Sequence, residues 1–275
     1  MVVRKPSWGN QFYPQDPAQA RGMWEGFFER CETPRISEPI RAIQVPHAGW
    51  TYSGQAAAEA YNQLKDRNLK TVVMIGPQHR VPVRHMQVFP EGIWESPIGN
   101  LEVDSGLAAR FLEFNDAFQA DIHAHAAEHS LEVQIPPLVM VLPDVKIAPI
   151  LTAPYQPKHP RILADALAGI VGTRLDVLVL ISTDLYHGES YEACKASDAR
   201  TVEFVKNLDA EGLQKALARG TAAACGGDGL AALLYAAQKL GIKKANLLAA
   251  YNSNDITGQR GGYVVGYSAF AFTAG

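Results

Sequence analysis

Six short aliphatic or β-branched runs, at 41–45, 71–75, 145–151, 176–181, 245–251 and 263–272, set the pattern of this 275-residue chain. Each has the length of one buried strand and is bounded by turn residues. Helical periodicity fills the stretches between them, at 54–64, 105–114, 160–171, 193–207, 210–219 and 230–240. Strand and helix therefore alternate. That predicts one α/β domain over residues 1–275, with a mostly parallel or mixed central sheet flanked by helices. Segments 86–89 and 93–103, the second turning at Ser96-Pro97-Ile98-Gly99-Asn100, read as an excursion of antiparallel strands. In open α/β sheets ligands collect outside the carboxyl ends of the strands, so chemistry is expected along that edge.

Composition removes several function classes. No apolar run, Val177 to Ile181 among them, approaches the roughly 18 residues a spanning helix needs. The first residues, Met-Val-Val-Arg-Lys-Pro-Ser, are charged and proline-broken, which is unlike a secretion signal and leads to the expectation of a cytoplasmic protein. With 25 Lys plus Arg against 28 Asp plus Glu, a net charge of −3 draws the chain to neither nucleic acid nor anionic lipid. Cys31, Cys194 and Cys225 are far apart and form no C-x-x-C, so neither a disulfide framework nor a zinc ribbon fits.

Three strand ends carry a histidine. The first run leads into Val45-Pro46-His47-Ala48-Gly49, the second into Gly76-Pro77-Gln78-His79, and the fourth into Ser182-Thr183-Asp184-Leu185-Tyr186-His187. Residues this distant in sequence converge when their strands share one sheet edge. Cys225 precedes Gly226-Gly227-Asp228-Gly229 and the helix at 230–240, where the helix dipole would stabilise a thiolate. The opposing reading is a small buried hydrophobe, yet core packing gives no evident reason for three neighbouring glycines. His125-Ala126-Ala127-Glu128-His129 is a formal H-x-x-E-H zinc-peptidase pattern. Pro136 and Pro137 interrupt the helix it requires, so the segment reads as a kinked helix whose polar start faces a cleft. His85 and His159 look like ordinary surface-loop histidines.

Together these blocks resemble the Memo family, protein B of the AmmeMemoRadiSam system. The resemblance runs through Phe12-Tyr13-Pro14, Val45-Pro46-His47-Ala48-Gly49, Gly76-Pro77 before His79, Ser96-Pro97-Ile98-Gly99, Glu128 to Gln134, Ser182-Thr183-Asp184-Leu185 with His187, Cys225-Gly226, Asp255-Ile256-Thr257-Gly258 and Val264-Val265-Gly266-Tyr267. It implies a domain similar to class III extradiol dioxygenases, which hold Fe(II) with two histidines and a glutamate. By position, His47 and His79 match the metal-binding histidines, Cys225 takes the place of the carboxylate, and His187 matches a site-lining histidine. Partners implied by the resemblance are AMMECR-like and radical SAM proteins, and the family is also discussed as binding peptides or proteins without settled activity.

Two imidazoles and a thiolate leave coordination positions open and favour iron, with copper or zinc as alternatives, over magnesium or calcium. The leading expectation is a metal-dependent redox or oxygenase-like enzyme acting on a small molecule or peptide, with His187 moving a proton and Asp184 fixing its tautomer. Glu128 and His129 are expected to hydrogen-bond the ligands. Trp50, Tyr52 and Tyr186 either line a pocket for a flat ligand or are plain packing. Two alternatives stand beside it: a hydrolase with Cys225 as nucleophile, His187 as base and Asp184 as orienter, and a non-enzymatic peptide- or protein-binding module.

Overall fold

The computed structural model, which describes residues 2–274 except 155 and 260, arranges the alternating pattern as one large mixed sheet with a small three-stranded sheet beside it. The chain starts with β1 (Val3–Arg4) and α1 (Pro17–Glu29), whose first turn is capped by the Asp16 side chain and opened by Pro17. β2 (Ile40–Val45), α2 (Trp50–Asn62) and β3 (Thr71–Pro77) form the first crossover unit. Next come β4 (Met86–Val88), the hairpin β5 (Ile93–Ser96) and β6 (Gly99–Glu102), α3 (Ser105–Phe114) and β7 (Phe118–Ala120). The short helices α4 (Ile122–Ala126) and α5 (Ile135–Val141) flank a 3-10 turn at Glu132–Gln134 and lead to β8 (Lys146–Thr152), α6 (His159–Ile170) and β9 (Val177–Ser182). β10 (His187–Gly188), α7 (Tyr191–Lys206), α8 (Ala210–Ala218) and α9 (Gly227–Ala236) follow. The chain then closes through β11 (Lys244–Asn252), α10 (Ser253–Thr257) and β12 (Val264–Thr273).

The large sheet runs β10-β12-β2-β9-β3-β8-β4-β7, with β11 also on β12. Its centre, β2-β9-β3-β8, is parallel. Every residue of β2, β3 and β9 is buried, because helices cover both faces. The pleat sorts alternate residues to the two sides. Leu178 and Leu180 join the core under α1, α2 and α5, while Val177, Val179 and Ile181 join the one under α3, α6, α8 and α9.

Several local expectations need correction. Segment 86–88 is part of the main sheet, antiparallel to β8, and only the β5–β6 hairpin leaves it, joining β1. The region 123–142 is not one kinked helix; α4 ends at Ala126 and the chain turns before α5. Helix α1, absent from the sequence reading, buries only Ala20, Trp24 and Phe27, a narrow stripe among polar residues. His159 is buried at the start of α6 instead of lying in a surface loop.

A buried ion pair fastens the amino-terminal arm to the 125–132 segment. Arg4 pairs with Glu132 and also donates to the carbonyls of His125 and Glu128. Glu132 further accepts the Ser7 and Trp8 N–H groups and the Tyr13 hydroxyl. Removing one buried partner strands the other's charge. Glu132→Leu is therefore expected to lose about 3–5 kcal/mol in urea unfolding. The double variant Arg4→Met/Glu132→Leu should recover part of that loss, and equal stability of Glu132→Leu and the wild type would refute this role.

Candidate metal centre

Three strand ends meet because β9 lies between β2 and β3. Val45 pairs with Ser182 and Ile75 with Ile181, so the carboxyl ends are nearly level. His47 follows the first end by two residues and His79 the second by two. Segment 128–131 closes over them from the side. It can approach because residue 76 is glycine: a Cβ there would lie 2.8 Å from Leu131 Cδ2 and 2.9 Å from Ser130 Oγ.

The hydrogen bonds fix which nitrogen each ring presents. Ser182 has one hydroxyl proton and donates it to the Ser130 carbonyl at 2.6 Å. It must then accept from His47 Nδ1, 2.9 Å away, so His47 carries its proton on Nδ1 and leaves Nε2 bare. Gln134 Nε2 donates to the same hydroxyl and to the Pro46 carbonyl. The Glu128 carboxylate accepts from His79 Nδ1 at 2.9 Å and from the His79 and Ser130 N–H groups at 2.6 and 2.8 Å. His79 Nδ1 is thereby committed to Glu128, which leaves Nε2 as the nitrogen available to a ligand. A carboxylate behind one histidine and a hydroxyl behind the other is the backing that metal-binding imidazoles use to fix tautomer and direction.

His129 completes a group of three. One ligand atom from each of His47, His79 and His129 lies within 4.8 Å of the others, and His79 and His129 stack with ring centroids 4.7 Å apart. His129 Nδ1 sits 3.2 Å from Glu128 Oε1 but without hydrogen-bond alignment, so that nitrogen has no donor–acceptor partner. Burial and the neighbouring rings push His47 well down and hold His129 at about 3, so both are neutral at physiological pH. Burial alone would raise Glu128, but the hydrogen bonds it accepts from His79 lead the effects that outweigh it and bring the carboxyl to about 2.

Cys225 reaches the same place from the other side, with Sγ 3.2 Å from His47 Nε2 and accepting the Asp184 N–H at 3.2 Å. The expected low-pKa thiol is not what the surroundings produce. Burial, then the Asp184 carboxylate, pushes the thiol up and overrides the donors from Thr183, Asp184 and Gly226. Its glycines have packing reasons too. A Cβ at residue 226 would lie 2.5 Å from the Ser182 carbonyl oxygen, and one at 229 would lie 2.8 Å from Ile75 Cγ2.

The remaining sequence candidates are distributed differently from the expectation. Asp184 does not orient His187; its Oδ1 accepts the His47 N–H at 2.8 Å, while His187 Nδ1 is held by the Leu185 carbonyl at 3.1 Å. The Cys–His–Asp order of a hydrolase is also not assembled, since the histidine beside Cys225 is His47. His187 is exposed on the rim, with its ring 6.4 Å from Tyr263. Trp50 is packed into the core against Tyr13 and Trp24, Tyr186 is half-buried, and Tyr52 is exposed near the cleft beside Ala48. In H-x-x-E-H, His125 is turned away, bonded through Nε2 to the Gln87 carbonyl and packed on Phe89 and Trp94.

A family model described as Memo-like protein matches residues 4–271. MEMO1 family proteins of Ignicoccus hospitalis and Desulfurococcus amylolyticus are 34% and 33% identical to this chain, each over 99% of both sequences. One from Methanosarcina mazei is 34% identical over 98% of both.

Buried neutral histidines leave a pH signature. Burial foremost holds His125 at about 3, against an ordinary 6.5. Below pH 6.5 the unfolded chain takes up a proton that the folded chain refuses, so stability is complete above that pH and falls as the pH drops toward 3. One such group contributes a slope of about 1.4 kcal/mol per pH unit. Urea unfolding at pH 6.5 and 5 should show a shallower pH dependence for His125→Gln than for the wild type, by about 2 kcal/mol over that interval. Parallel slopes would contradict a neutral buried His125.

Proposed function

The chain belongs to the Memo-like protein family, and on that premise we propose that its strand-end cluster is a transition-metal site of a redox or oxygenase-like enzyme, with His47, His79 and Cys225 as the protein ligands. The observation that carries this reading is the pair of imidazoles whose Nδ1 atoms are already committed, leaving the two Nε2 atoms for a ligand, with a sulfur 3.2 Å from one of them. Nitrogen and sulfur donors bound tetrahedrally at about 2.0 and 2.3 Å would stand roughly 3.5 Å apart, close to that separation. A thiol raised by burial binds only by giving up its proton, and a cation supplies the reason to do so. Imidazole and thiolate together suit iron, copper or zinc.

A bound metal would supply Lewis acidity or a redox couple. The chain's own contribution is to hold the two rings in fixed directions through Ser182 and Glu128, so that no reorientation precedes binding. His187, fixed through Nδ1, keeps Nε2 free on the solvent side of the site, where it can take a proton from a ligand or return one. The three-histidine grouping favours a second ligand set, His47, His79 and His129, with the thiol beside it.

Metal content of protein purified without a histidine tag and without oxygen tests the reading. Cys225→Ser should lower occupancy at least tenfold while the protein still melts cooperatively, and His187→Ala should keep wild-type occupancy. Full metal in Cys225→Ser would transfer the third position to His129, and metal loss in His187→Ala would make His187 a ligand.

A further inference from the structure

Arg80 immediately follows His79, the one member of the three-histidine group that is open to solvent, and its guanidinium has a fixed seat but no polar partner. It lies over the Trp8 ring, with Cζ 4.1 Å from the ring centroid. Among the described residues, its N–H donors have neither a hydrogen-bond acceptor nor a carboxylate to pair with. The carboxylates of the adjoining segment are spent elsewhere. Glu128 is engaged by His79 and Ser130, and Glu132 by Arg4, Ser7, Trp8 and Tyr13.

The seat itself is fixed. Trp8 is held at both ends, its backbone N–H donating to Glu132 Oε1 at 2.8 Å and its indole Nε1 to the Ala127 carbonyl at 2.9 Å. The root of Arg80 is held as well. The buried Gln78 side chain accepts the Arg80 and Val81 N–H groups at 2.7 and 3.1 Å and donates to the Ala124 carbonyl at 2.6 Å. Trp8 also connects the cation to the histidines. Its ring meets that of His129 edge-on at 5.7 Å, Phe12 packs against Trp8 at 5.3 Å and against His129 at 4.5 Å, and His129 stacks on His79. Trp8 and Phe12 are half-buried, so the aromatic surface that joins guanidinium to imidazoles keeps one side open.

We infer that Arg80, backed by Trp8, is the docking group for a ligand carboxylate, and that the site takes a small aromatic acid whose ring rests against Trp8 and Phe12 while its far end reaches the histidine cluster. What that far end does rests on the metal-site reading above; the Arg80 contact does not. A guanidinium presents paired N–H donors in one plane, which match the two oxygens of a carboxylate while its face stays on the indole. With both the ring and the root of the arginine already fixed, little side-chain freedom is lost when the acid arrives. A neutral amide of the same shape sets an NH2 against those donors in place of the second oxygen and brings no charge, so the acid is selected.

The test titrates benzoate, benzamide and acetate into full-length protein and follows the backbone amides and the Arg80 Nε–Hε resonance by two-dimensional NMR. Benzoate is expected to shift the signals of Trp8, Phe12 and Arg80 and to bind at least tenfold more tightly than benzamide or acetate. Arg80→Gln should weaken benzoate about tenfold and leave benzamide unchanged. Equal affinity for benzoate and benzamide, shifts mapping elsewhere, or undiminished benzoate binding in Arg80→Gln would overturn the assignment. Equal affinity for benzoate and acetate would overturn it too, by showing an adventitious ion only. Benzoate binding at Arg80 in protein that takes up no metal would refute the metal centre and leave the docking group standing. Metal uptake without a preference for benzoate would do the reverse.

Discussion

Ser182 has a single hydroxyl proton, and the candidate centre is organised by where that proton goes. Given to the Ser130 carbonyl, it forces the hydroxyl to accept from both His47 and Gln134. Gln134 in turn holds the Pro46 carbonyl and accepts from Tyr61, while Ser130 Oγ donates to the Pro77 carbonyl. The ends of β2, β9 and β3 are thus tied into one network beneath the rings. Each buried polar group in it would cost about 1–3 kcal/mol if left unpaired, so the members hold one another in a single arrangement.

That rigidity divides the site in two. Below are a neutral His47 ring whose tautomer Ser182 sets, a carboxylate held ionised behind His79, and a thiol kept protonated until a cation competes for it. Above are exposed groups, His187, Tyr52 and Tyr263. Fixed donors suit metal binding, and an exposed rim suits ligand exchange.

His47 and His79 were legible in the sequence because each follows a short strand-forming run and a proline, a pattern that places a side chain at a strand's carboxyl end in a parallel sheet. The layered α/β fold was legible for the same reason. Sequence order did not reveal that β9 inserts between β2 and β3, and without that neighbour relation Ser182 has no visible connection to His47. His129 was obscured by H-x-x-E-H, which assumes a continuous helix; α4 stops at Ala126, so His125 and His129 face different surroundings. The glycines around Cys225 read as signs of function, whereas the backbone of Ser182 and the side chain of Ile75 account for two of them sterically.

The central claim is that nitrogen and sulfur from this cluster share one metal. X-ray absorption at the edge of whichever metal copurifies anaerobically reads the ligands directly. The account predicts a mixed shell, imidazole nitrogens near 2.0–2.1 Å with one sulfur at about 2.3 Å, the sulfur vanishing in Cys225→Ser. A shell of nitrogen and oxygen alone in the wild type would contradict it and leave the three-histidine set, while protein that holds no metal after anaerobic reconstitution would contradict both.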